Sequence, residues 1–474
     1  MTRLEQEGKH TMAVLLPLDW SGPQPLTKKE LPMCKPLYLD FMYWKNTIHL
    51  RNVDPQVPAG YIFVGNCKPL SNESTSSYGN WDTGYQVYRQ FRWQEIPKSR
   101  RDAFKAADKS EEKILFAGRE IAIRTHSLYD STFPAFKNAD ELCALPCLSA
   151  LHCERWHPGL YEYLKSCPFL TDLSLKNHQQ KTLDFRHTHL ISLEITLADV
   201  EELYLNDGLE ELILWGPVSE TCRIYAAENG AVLRLSLEKT ISRFPTLTQL
   251  AELHCRKTEE IDLKELLKSY PSLRELRLWG KPGYIRNFAA LKDFKEMRVF
   301  TTVDMFGFSA DDIPRPEHMN KLAMFWMCSL PEDAARTAKQ LYKNRKEQGL
   351  SLWIQKARKP EWLAQNLDNP FRSWDGQENI SAAIAKKAFA RYRKTRGEIF
   401  QLSQGPTDDI AESAEKAVRD YTEAFNKMNQ RSDFIETVER EEIYDALCSI
   451  VELLPNSQNI RNRLLDLFDQ IRDF

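Results

Sequence analysis

Apolar residues recur through the middle of this chain at a spacing near twenty: Leu151, Leu173, Leu193, Leu212, Leu235, Leu253, Leu276, Met297 and Leu322, in successive steps of 22, 20, 19, 23, 18, 23, 21 and 25 residues. A unit of that length is too small to bury its own apolar face. Such units must stack, and stacked like units make a solenoid. In a strand, alternate side chains share a face. In Leu170-x-x-Leu173-x-Leu175, Leu209-x-x-Leu212-x-Leu214 and Leu273-x-x-Leu276-x-Leu278 the last two leucines therefore point together into a core, and the first opens the turn into the strand.

Longer internal copies support the repeat. Glu211-Leu212-Ile213-Leu214-Trp215-Gly216 recurs as Glu275-Leu276-Arg277-Leu278-Trp279-Gly280, and the run Leu164 to Leu170 recurs as Leu267 to Leu273. In the second pair a short apolar helix ends at Pro168 or Pro271, which cannot continue it, and a strand follows. The pattern resembles the leucine-rich repeat family over about residues 145–330. That resemblance implies a curved parallel sheet, one strand per coil, with a concave face used for binding. The chain departs from the family in three ways. The asparagine ladder is mostly missing, with only Asn177 and Asn206 near it. Leu203 stands nine residues before Leu212, about half a coil, which places it on the convex side opposite the main sheet. The units from Met297 onward are degenerate.

The expected fold is thus α/β, a curved solenoid flanked by other elements. Residues 1–35, polar and proline-punctuated, read as extended. Residues 36–140 read as a small α+β module that caps the first repeat. Its strand-like runs are Thr47–Arg51, Tyr61–Val64, Tyr85–Phe91 and Ile114–Thr125, with a loop at Ser71–Gly84 and a helix at Lys98–Lys113. The solenoid spans 141–330. A transition segment, 331–375, holds a helix near Glu332–Gln348 and an apolar run at Leu350–Ile354. Over 376–474 apolar stripes at helical spacing, such as Ile380, Ile384, Ala388 and Tyr392, predict a four-helix bundle. The tail around Phe434–Glu442 resembles the tails of some bacterial leucine-rich-repeat proteins, which implies a bacterial source.

A net charge of −3 over 474 residues argues against bulk attraction to nucleic acid or anionic membrane. No apolar run approaches the roughly 18 residues of a membrane span, and Met12–Leu18 is too short for a signal peptide. The ten cysteines are scattered, and Cys153 and Cys255 take leucine slots in their repeats. That suits a reducing cytoplasm.

The candidate site is the open face of the sheet. Asp172, Glu194, Glu211, Glu252, Glu275 and Glu296 flank the central leucines. Ile213, His254, Arg277 and Arg298 run beside them, and Trp215, Trp279, Phe300 and Phe325 lie one step further. Exposed aromatics among charges are typical of interface hot spots. The acidic column predicts a partner protein with a basic patch.

Other constellations carry less chemistry. Cys143, Cys147, His152, Cys153 and His157 lack the paired C-x-x-C spacing of structural zinc. No cysteine has aspartate two residues on, as in the bacterial leucine-rich-repeat ubiquitin ligases. Glu436, Glu439, Glu441 and Glu442 read as an exposed charged face. Lys386, Lys387, Arg391, Arg393, Lys394 and Arg396 form a basic helix that the stretch Asp408–Glu415 is placed to neutralise, so nucleic acid is not expected. No phosphate loop, nucleophile elbow or zinc-protease helix occurs, and His126 and Asp130 lack a nucleophile. The expectation is a non-enzymatic cytoplasmic protein-binding scaffold without cofactor, in a bacterial immunity or regulatory role. The alternatives are an enzyme in residues 36–140, which requires a pocket of converging polar groups, and a nucleic-acid adaptor, which requires positive charge beyond Lys386–Arg396.

Overall fold

The computed structural model describes residues 3–7, 10–22, 24–57, 61–81, 83–219, 221–239, 243–404, 410–454 and 458–474. The chain divides into two compact units, Met1–Ala357 and Arg358–Phe474.

The first unit is built on an 11-stranded sheet. Its strands are β1 (Ser127–Tyr129), β2 (Ala150–Cys153), β3 (Asp172–Leu175), β4 (Ser192–Leu197), β5 (Glu211–Val218), β6 (Arg234–Glu238), β7 (Glu252–Asp262), β8 (Glu275–Arg286), β9 (Val299–Phe306), β10 (Met324–Pro331) and β11 (Ser351–Arg358). Spatial order follows chain order, and every pair from β1 to β10 is parallel. The entry to most strands repeats one hydrogen-bond pattern: two successive amides donate to a single carbonyl at the entry of the preceding strand. Thr171 and Asp172 donate to Ser149 O, Arg274 and Glu275 to Ala251 O, and Ala323 and Met324 to Arg298 O.

Leu151, Leu173, Leu193, Leu212, Leu235, Leu253 and Leu276 stand in lateral register and are buried, as their spacing predicts. The last two expected positions, Met297 and Leu322, are buried but stand outside that register. Phe300 pairs with Leu276, and Phe325 with Phe300. Met297 and Leu322 lie three residues earlier, in the slot of Leu170, Leu209 and Leu273, and are buried there. The repeat is therefore not degenerate here. Phenylalanine fills the central leucine slot, and that substitution displaced the apparent register.

Leu203 belongs to a second, three-stranded parallel sheet of Thr182–Asp184, Glu202–Tyr204 and Arg223–Tyr225. Leu183, Leu203 and Ile224 from that sheet share one core with the large-sheet leucines. Asn206 is buried, and its Nδ2 donates to Leu190 O at 2.8 Å, tying the segment before β5 to the segment before β4. The large sheet outruns the expected 141–330 segment at both ends: β1 lies in the expected module, and β11 follows the helix Glu332–Lys346.

The N-terminal part departs from its sequence reading in several places. Residues 1–35 are not simply extended, because Arg3–Glu7 and His10–Leu15 form an antiparallel hairpin with Arg51–Val53 alongside. Tyr85–Phe91, read as a strand, lies in a helix, Gly84–Glu95. Its buried residues are Gln86, Gln90 and Trp93, so the burial period is helical, and two glutamines in the stripe hid it. Tyr61–Val64 forms no strand, and Ile62 and Phe63 are exposed. The second helix runs Lys98–Asp108, and Ile114–Thr125 overlaps the hairpin Lys113–Phe116 and Arg119–Ala122. Trp93, Phe104, Leu37 and Phe41 pack with Cys147 and Phe169, which precede β2 and β3.

The second unit contains four long helices among the described residues, Ala382–Ser403, Ile410–Ser432, Thr437–Val451 and Gln458–Ile471. They share a core with Phe371 and Trp374. Of the four glutamates expected on an exposed face, Glu436 and Glu441 are exposed, and Glu439 and Glu442 are not. Glu439 is buried and accepts from Glu436 N at 3.1 Å in a capping box, while Glu442 accepts from Ser373 Oγ and Trp374 Nε1.

Candidate functional site

Two outward rows flank the central residues of the large sheet. The first reads Ala150, Asp172, Ser192, Glu211, Arg234, Glu252, Glu275 and Val299 across β2 to β9. The second reads His152, Ser174, Glu194, Ile213, Ser236, His254, Arg277, Thr301 and Trp326 across β2 to β10. Asp172, Glu211, Glu252 and Glu275 thus share a row, whereas Glu194 stands in the next with Ile213, His254 and Arg277. Glu296 and Arg298 are not on this face. They precede β9, where Glu296 pairs with Lys321 at 2.6 Å and the Arg298 carbonyl takes the strand-entry role of Arg274. Phe300 is 0 % exposed, so it is core and not a contact residue; Phe325 is buried beside it.

The acidic column is interrupted. Arg234 stands between Glu211 and Glu252, 4.0 Å from the first and 2.9 Å from the second. Next along, Glu275 Oε1 receives His254 Nε2 at 2.6 Å and Arg277 Nε at 2.5 Å. Burial pushes the Glu275 carboxyl up, but hydrogen bonds from His254 and Arg277 and their charges outweigh it and hold the group at about 2. The centre of the face is therefore a lattice of alternating charge. Asp172 and Glu194 have no ion pair among the described residues. Glu252, His254 and Glu275 bring three ligand-type atoms within 4.8 Å of one another, yet two arginines already neutralise the carboxylates.

Beyond the lattice the face becomes apolar. Trp279 of β8 pairs in register with Val303 of β9, and Trp326 of β10 lies 6.0 Å, ring to ring, from Trp353 of β11. All four are 36–42 % exposed, although they sit on strands whose other side is core. Arg256 lies 5.4 Å over the Trp279 ring, and Trp326 Nε1 donates to Ser351 Oγ at 3.0 Å. Trp215 is only partly exposed, and its Nε1 is buried without an acceptor. It does not join the exposed apolar patch.

Arg234, Val303, Trp326 and Trp353 escaped the sequence reading. Arg234 was legible in principle, because it precedes Leu235 as Glu252 precedes Leu253. Trp326 required Phe325 as the central residue, and Trp353 required β11.

Three other places carry chemistry. Asp130, Cys153 and His157 are buried together. Asp130 Oδ2 lies 2.8 Å from His157 Nε2, and Asp130 Oδ1 accepts from Glu154 N. Burial, with Asp130 and Glu154 nearby, pushes the Cys153 thiol up to about 12, so it is a protonated core group. The rest of the expected cysteine and histidine cluster disperses: Cys143 is exposed, Cys147 is buried in another core, and His152 stacks on Tyr129.

A cavity of about 310 Å³ opens between the N-terminal helix and the strand entries. Its lining includes Phe41, Tyr88, Arg92, Trp93, Phe169 and His189. Burial, and then Arg92 and Arg100, lower the His189 pKa.

In the second unit, the basic helix meets Lys427 and Arg431 of the next helix across a groove. Of the stretch expected to neutralise it, Asp408 and Asp409 lie outside the described residues, and Glu415 pairs with Arg463 at 2.6 Å.

No protein-family model matches the chain, and no curated protein matches its sequence.

Proposed function

We propose that this chain is a leucine-rich-repeat scaffold that binds a partner protein on the concave, outward face of its large sheet. The observation that carries the reading is the apolar patch of Trp279, Val303, Trp326 and Trp353, exposed on four adjacent strands beside a charged lattice. Large aromatics ringed by charge supply most of the energy in protein interfaces. The strands hold these side chains in place before binding, which lowers the entropic cost of association. Asp172 and Glu194 are where a basic patch on the partner would meet the face. Ten free cysteines support a reducing compartment, and no helix among the described residues is long and apolar enough to cross a membrane. A bacterial immunity or regulatory role fits this use of a rigid sheet; it rests on architecture.

The test is affinity capture from source-cell lysate, read by mass spectrometry, with wild type beside the double variant Trp326→Ala, Trp353→Ala. A protein captured by wild type and lost with the variant, and then bound directly when purified, supports the reading. An unchanged capture list overturns the assignment of the aromatic patch.

The 310 Å³ cavity favours a second reading, a small-molecule or enzymatic role for the N-terminal module with the repeats presenting substrate. A thermal-shift screen of metabolites against wild type and Arg92→Ala would support it through a stabilising compound whose effect the variant abolishes.

A further inference from the structure

Five cations face one groove between the helices Ala382–Ser403 and Ile410–Ser432. Lys387, Arg391 and Lys394 come from the first, Lys427 and Arg431 from the second, and no carboxylate is among the lining residues. Cations on a solvated helix face diverge into water; these converge from two helices. Their neutralisation is incomplete. Lys387 and Arg431 have no ion pair among the described residues. Lys394 and Lys427 reach carboxylates of their own helices only at 3.8 and 3.6 Å, beyond a good charged hydrogen bond. Arg391 is largely buried, with its nearest carboxylate, Asp420, at 3.9 Å, and its Nε and Nη2 make no hydrogen bond. An unsatisfied buried guanidinium is costly unless something accepts from it.

We propose that this groove binds a compact, multiply phosphorylated small molecule. Phosphate groups match the charge and offer acceptor oxygens to guanidinium and ammonium donors together. Two observations favour a small ligand over a nucleic acid. The open groove offers about 460 Å³, a volume in the range of small-ligand pockets. Its lining holds no aromatic side chain on which bases would stack. The site stands independently of the sheet's role.

The experiment is isothermal titration calorimetry on the full chain with sodium tripolyphosphate, orthophosphate and a short DNA duplex as probes. The variants are Lys387→Gln with Arg431→Gln, and, as a control on the same helix outside the groove, Lys386→Gln with Arg396→Gln. Circular dichroism melts confirm that each variant folds. The expected result is saturable one-to-one binding of tripolyphosphate, tighter than orthophosphate, weakened about tenfold or more by the groove pair and little changed by the control pair. Absence of saturable binding, or equal weakening by both pairs, overturns the proposal. So does duplex binding that is tighter than tripolyphosphate binding and sensitive to the groove pair, which would assign the groove to nucleic acid.

Discussion

Arg234 Nε lies 2.9 Å from Glu252 Oε2, one strand apart on the outward face of the large sheet. With Glu211 on its other side, that arginine turns a would-be acidic stripe into alternating charge. Replacing it by glutamine leaves two carboxylates facing each other across a strand. The expected loss is about 1 kcal/mol or less, because the group is 40 % exposed, and it should shrink as salt rises. Urea melts at low and high salt check this. A salt-independent loss would mean that the arginine acts through its packed alkyl stem.

Glu275 makes an acid-stability prediction. Its folded carboxyl is held at about 2, below an ordinary value of about 4.5. A depressed carboxyl contributes stability that is fully present above the unfolded pKa and is lost as pH falls through the folded one. Between about pH 4.5 and 2, wild type should therefore lose up to about 3 kcal/mol that Glu275→Gln does not. Stability measured stepwise through that window decides it, and parallel acid limbs would sink the idea.

Phe300 and Trp326 test the corrected register against each other. Phe300 is fully buried and packs edge-on against Phe288 at 5.7 Å, so Phe300→Ala should cost about 3–5 kcal/mol. Trp326 points outward and should cost about 1 kcal/mol when replaced by alanine. Thermal melts of both variants would show the opposite ranking if Met297 and Leu322 were the central residues.

Asp130 and His157 form a buried pair at 2.8 Å. Asp130→Ala leaves the imidazole and the Glu154 amide without their acceptor, and should cost about 3 kcal/mol. Asp130→Asn keeps one carbonyl acceptor and should cost less. Equal losses in denaturant melts would show that the charge and not the hydrogen bonding matters.

The repeat was legible because its cause is local. A strand alternates its side chains, a unit near twenty residues must stack, and the apolar slots of Leu151 to Leu276 recur for that reason. Reading failed where another apolar residue took the slot, as Phe300 and Phe325 did. It failed again where polar residues occupied a buried helical stripe, as Gln86 and Gln90 did. The faces of the tail helices were legible from their period, but the partners of Glu439 and Glu442 were not.

The sequence by itself determined the parallel repeat, its core leucines and the helical tail, since each follows from periodicity within one segment. Only the tertiary structure decided the character of the surfaces. Whether Glu252 is a free charge depends on Arg234, eighteen residues away in the chain and one strand away in space. Whether Lys387 lines a groove depends on which turn of the next helix lies opposite. Side-chain hydrogen bonds and ion pairs act over a few ångströms, and the neighbours within that distance are set by packing.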